Sequence, residues 1–148
     1  MEDFLATALT TDSAIVALFN EDREGNPRNV EDWFFGTSAL GLGDNVAVPD
    51  RPYMVWNEGP DVPFRTVEKA TNARVRNFRI YVYDYKGDFT RINSILKLVR
   101  NRVKAMAPFT AGSVKCHESS WAGESGNLVD DGYDSCCRYG FAEFVVSD

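Results

Sequence analysis

The clearest pattern of apolar and polar positions lies between residues 71 and 106. Val75, Phe78, Ile80 and Val82 stand against Arg76, Arg79, Tyr81, Tyr83 and Tyr85, and from Phe78 onward the alternation has the period of two that a strand with one packed face requires. The other face is not ordinary polarity. A tyrosine carries an apolar body and a polar tip, which suits a surface that meets a partner, so Arg79, Tyr81, Tyr83 and Tyr85 are candidate contact residues. Lys86, Gly87 and Asp88 break the run, after which Phe89, Ile92, Ile95, Leu96, Val99 and Val103 recur at spacings of three and four. This predicts a helix with one apolar stripe, its Arg91, Lys97, Arg100, Arg102 and Lys104 largely on the wet side. Strand and helix are expected to fold as one unit.

On the N-terminal side, residues 2–20 read as two short helical pieces. Phe4, Leu5, Ala8 and Leu9 mark the first, Ile15, Val16, Leu18 and Phe19 the second, and Asp12 stands where the second would be capped. Residues 21–50 lose the pattern among Gly25, Pro27, Gly36, Gly41, Gly43 and Pro49, and are expected to form a long connection with one helical turn near Val30 to Phe35. Pro52 to Asn57 predicts a short strand ended by Pro60 to Pro63. Beyond Pro108, which closes the long helix, residues 113–121 look extended, 122–134 form a loop rich in Gly and Asp, and 135–146 form a last strand. Helix, strand, strand, helix, strand, strand defines an α+β fold with a mixed, mainly antiparallel sheet and helices packed on one face.

The chain has 148 residues, a length suited to one domain over 1–148, and a formal charge of −6. Its basic residues concentrate between Arg65 and Lys104, so the acidic excess lies in the flanks and tight binding to nucleic acid is disfavoured. With no signal-like start and no long apolar run, a soluble protein made in the cytosol is expected, without membrane contact. Cys116, Cys136 and Cys137 are an odd number of cysteines, which argues for reduced thiols.

Candidate chemistry thins under inspection. Asn20, Asp22, Glu24, Gly25 and Glu31 fall at positions 1, 3, 5, 6 and 12 of a calcium-loop pattern, but Asn opens it, Pro27 stands where an aliphatic residue belongs, and no second loop pairs with it. A solvated polar loop is the better reading. Cys116 with His117, and Cys136 with Cys137, are adjacent pairs whose side chains point to opposite faces of a strand, so neither converges on a metal. A contact between Cys116 and Cys137 across strands is expected instead. Gly41, Leu42 and Gly43 are too short for a phosphate loop. Glu118, Glu124, Asp130, Asp131 and Asp134 lack a pocket motif that would make an acid/base pair of them. The helix face from Arg91 to Lys104 reads as a charged outer surface. These residues predict no catalytic, metal or cofactor site.

The order of elements resembles that of the tail terminator, or tail completion, proteins of long-tailed bacteriophages. Ile15, Val16, Ala17 and Leu18 on an N-terminal helix precede Pro52, Tyr53, Met54, Val55 and Trp56, similar to the family's proline-aromatic-aliphatic strand. The run from Arg74 to Tyr85, leading into the Phe89 to Met106 helix, is similar to its arginine-bearing strand and long helix, and Cys137, Arg138, Tyr139, Gly140 and Phe141 to its closing strand. The resemblance implies a non-enzymatic virion protein, assembled in the host cytoplasm. It would form a homo-oligomeric ring, typically a hexamer, that caps the tail tube, ends its polymerisation and meets the head connector proteins, with DNA only passing through the lumen. The alternatives are a head-side connector or stopper, and a module whose Tyr81 and Tyr83 stack single-stranded bases.

Overall fold

The structure, a computed structural model, describes residues 2–21, 24–36, 49–63, 73–87, 89–132 and 134–148. Asp88, Gly41, Leu42, Gly43 and Asp22 lie outside them, as do residues 71 and 72 of the central stretch.

Two short helices open the chain, α1 (Glu2–Thr10) and α2 (Ser13–Val16). They separate at Asp12, whose carboxylate accepts from the Ala14 and Ile15 amides at 3.0 and 3.1 Å, so the expected cap is in place. A single 3-10 turn, Val30–Asp32, leads into strand β1 (Phe34–Gly36), which pairs in parallel with β2 (Tyr53–Glu58). Then follow β3 (Val62–Pro63), β4 (Arg74–Tyr85), helix α3 (Thr90–Lys104), β5 (Phe109–Ala111), β6 (Val114–Glu124), β7 (Leu128–Asp130) and β8 (Ser135–Ser147). All eight strands form one mixed sheet in the order β1-β2-β4-β8-β6-β5, with β3 beside β4 and β7 beside β8. Apart from the β1–β2 pair, every strand pairing among the described residues is antiparallel. At this level the fold is α+β, predominantly sheet.

Four strands escape the sequence pattern. The helical turn expected near Val30 to Phe35 stops at Asp32, and Phe34–Gly36 is strand β1 instead. Beyond Pro60, Val62 and Pro63 resume pairing with β4 as β3; β5 precedes the strand expected from 113; and the span 122–134 holds the end of β6 and all of β7. Strands of two or three residues are too short to display a period, and their pairing partners lie far off in the chain.

The apolar stripe of α3 is buried as expected: Ile92, Ile95, Leu96, Val99 and Val103 are sealed together with Phe78, Ile80 and Val82 of β4 and Ala142, Phe144 and Val146 of β8. Helix α3 touches β4, β6 and β8, and α1 and α2 touch α3. Its cations, however, are not all on the wet side. Arg91 clasps the buried Asp84 carboxylate, with Nε 2.6 Å from Oδ2. Arg100 donates to Glu124 at 3.2 Å, and Arg102 donates to the Ala8 carbonyl at 3.3 Å. Only Lys97 and Lys104 of the five are exposed. Arginine stems are long enough to lie along the core edge while the head finds an acid or carbonyl on the next element.

One close approach lies between the paired strands β6 and β8. The Trp121 indole lies over Gly140, so that a Cβ placed there would stand 1.9 Å from Cζ2. Gly140→Ala must push the ring aside, and overpacking of this kind costs about 1–3 kcal/mol or more. The loss should be smaller in a Trp121→Leu background than in the wild type, a coupling that denaturant titration of the four proteins reads directly. Ile95→Asp, which buries a carboxylate at the centre of the α3 stripe, should leave no cooperatively folded protein in a thermal melt.

Candidate interaction face of the sheet

Antiparallel pairing brings Tyr81 of β4 opposite Val55 of β2 and Tyr139 of β8, Tyr83 opposite Tyr53 and Cys137, and Arg79 opposite Asn57 and Phe141. Residues that alternate along each strand share one face, so the Arg79, Tyr81 and Tyr83 row is flanked by aromatics on both sides. Tyr139 and Phe141, alternate residues of β8, belong to this face as well. Their recruitment depends on the β4–β8 register, which local pattern does not reveal.

The four candidate contact residues have unequal freedom. Tyr85 is half-buried; its hydroxyl donates to Asp50 at 2.7 Å and Arg51 stacks over its ring at 5.3 Å. Tyr83 lies on Tyr53, with centroids 4.8 Å apart and planes 9° from parallel, and shares a hydrogen bond with Cys137. Burial drives the Tyr83 phenol well above its ordinary range. Tyr81 is half-buried and packs on Tyr139 at 5.1 Å and Tyr83 at 6.3 Å. Arg79 alone is exposed. Its guanidinium donates to the Tyr81 hydroxyl at 3.1 Å and rides over Phe141 and Tyr139 at 5.2 and 5.5 Å. The bond to Tyr81 is the largest influence raising its pKa. The water-facing part of the row is thus Arg79 and the Tyr81 edge on an aromatic bed, an arrangement in which the cation is held in place before any partner arrives.

The other candidates stand apart from one another. Asn20 accepts from the Arg28 amide at 2.9 Å, Glu21 bridges Pro27, and Gly25 turns the chain at φ +82°, so this stretch closes on itself. Among the described residues no group of three or more His, Cys, Asp or Glu gathers to hold a metal. His117 is exposed and hydrogen-bonds Ser147 at 2.7 Å. The expected Cys116 to Cys137 contact is not formed: Cys116 is opposite Phe109 and Val146, whereas Cys137 is opposite Tyr83 and Leu128. Of the acids, Glu124 is bound by Arg100, Arg138 and the Trp121 indole N–H, all at 3.1–3.2 Å, which makes it a structural tie between α3 and the sheet.

No family model matches the sequence, and no curated protein matches it. Among solved structures, a chain of the virion of a native gene transfer agent particle shares the fold, with a TM-score of 0.66 at 14% identity over 97% of this chain and 92% of that one. The likeness is one of fold, spanning nearly the whole length of both chains.

Burial raises the Cys116 thiol to about 11 and the Cys137 thiol to about 12. Both folded values lie above the ordinary 9.0, so the folded protein holds these protons more tightly than the unfolded chain. Their contribution to stability should be complete below pH 9 and decline as pH rises toward 11 and 12. Thiol-reactive dye at pH 8 should label none of the three buried cysteines until denaturant is added; rapid labelling of the native protein would contradict this placement.

Proposed function

We propose that this chain is a non-enzymatic structural protein of a phage-like virion. It forms a ring that caps the tail tube, ends its polymerisation and joins the tail to the head connector. The observation that carries the reading is the fold likeness to a gene transfer agent virion chain across 97% of the residues, together with an order of elements that resembles the tail terminators. In this reading the whole chain is one domain and its helices form one layer over the sheet face that bears Phe78, Ile80 and Val82. The opposite face, with Arg79 and the edge of Tyr81 over an aromatic bed, supports a role in meeting protein, because anchored arginine and tyrosine dominate protein contacts. Base stacking by Tyr81 and Tyr83 has less support, since the Tyr83 ring is already covered by Tyr53 and Arg79 already occupies Tyr139 and Phe141. An acidic chain lining a lumen would repel DNA and let it pass.

Light scattering after size exclusion should give a closed species near six times the 16.6 kDa chain mass, alone or once tail-tube protein is added. Pull-down against purified tail-tube and portal-complex proteins separates this role from that of a head-side stopper. Capture by tube protein, weakened at least tenfold in Arg79→Ala, is expected; capture by portal proteins alone would move the chain to the other side of the neck.

A further inference from the structure

Two surfaces on this chain are unfinished in complementary ways. The first is a groove of about 470 Å³ between α1 and the end of β5, lined by Phe4, Thr7, Ala8, Ala111, Asp3 and Arg102. Phe4 is 36% exposed at its wall and stacks on Phe109 of β5 at 4.0 Å. Among the described residues β5 pairs only with β6, so one side of a three-residue strand faces the groove side without a sheet neighbour. The second surface is β7. It pairs only with β8 among the described residues, and its Leu128 and Val129 are 42% and 63% exposed, two of the most exposed large apolar side chains in the described chain. An uncovered strand edge bearing apolar side chains is a template for pairing with another chain.

We infer that β7 of one copy docks along β5 of the next, extending its sheet and laying Val129 into the groove between α1 and β5. The occupant is a second copy of this chain, for three reasons. Both edges are three residues long, Phe109–Ala111 and Leu128–Asp130. The groove lacks an apolar filler where β7 carries an uncovered one. Charge permits it as well: Arg102 and Asp3 both line the groove and offset one another, so nothing there repels Asp130, Asp131 and Asp134, which flank the β7 apolar pair. Asp131 and Asp134 keep their side chains 88% and 79% exposed even while pairing with Lys86. Strand addition supplies main-chain hydrogen bonds and the groove supplies selectivity. Because the two surfaces differ, the contact is head-to-tail and repeats from copy to copy, as a ring requires. This deepens the ring reading above and rests on it.

Thr7 and Val129 are both exposed, so Thr7→Trp fills the groove and Val129→Glu spoils the strand without entering the core; circular dichroism melts should match the wild type. Each variant alone should stay at 16.6 kDa by light scattering in whatever condition, alone or with tail-tube protein, the wild type assembles. An equimolar mixture should form a species of twice that mass and nothing larger, since one copy keeps a sound groove and the other a sound strand. Assembly of either variant like the wild type, or a mixture that stays monomeric, overturns the contact while leaving the ring itself standing. A wild type that assembles in neither condition overturns both.

Discussion

The antiparallel pairing of β4 with β8 is the constraint on which the other elements depend. It runs without interruption from Arg74 opposite Val146 to Tyr85 opposite Ser135. Side chains on a strand alternate faces, so a slip of one residue would turn Phe78, Ile80 and Val82 out of the core and bring Arg79, Tyr81 and Tyr83 in. Taken up by β8 instead, the slip would exchange Ala142, Phe144 and Val146 for Phe141, Glu143 and Val145. The seat for α3 and the aromatic bed under Arg79 are therefore set by a single register. Each end of it is tied: Arg74 holds Asp61 at 2.7 Å and Asp148 at 2.9 Å at one, and at the other Asp84 is clasped by Arg91 while Cys136 donates to the Tyr85 carbonyl at 2.9 Å.

These two ties differ in weight. The Arg74 pairs are largely wet, and ion pairs in water contribute little. The Asp84 side chain is 6% exposed, so removing Arg91 would strand a buried charge, and loss of such a partner is far costlier than the net value of the pair. Arg91 stands in the first turn of α3 and Asp84 near the end of β4, so this pair also sets the angle at which the chain leaves the strand for the helix.

Much of this was legible in the sequence where the signal is local. The Asp12 cap, the alternation of β4, the stripe of α3 and the position of β8 each follow from residues within one element. What escaped is what pairing decides. Tyr139 and Phe141 join Arg79 only because β8 lies beside β4, and Cys116 and Cys137 stay apart because of the offset between β6 and β8. The inward turn of Arg91 and Arg100 needs acids that arrive from Asp84 and Glu124. A helical wheel places those arginines at the border of the apolar stripe, and nothing within the helix says on which side of the border the head will find its partner.

Arg28 joins three carbonyls, those of Asp32 at 2.8 Å, Asp50 at 2.9 Å and Pro52 at 2.7 Å, while the Met54 amide donates to Trp33 at 2.7 Å. One guanidinium thus ties the approach to β1 to the approach to β2, and the parallel register of these strands is settled without reference to how many residues run between them. The β1–β2 edge of the sheet therefore hangs on one side chain, and a change at Arg28 would reach Asp32, Asp50 and Pro52 together although the first and the last stand 20 positions apart in the chain.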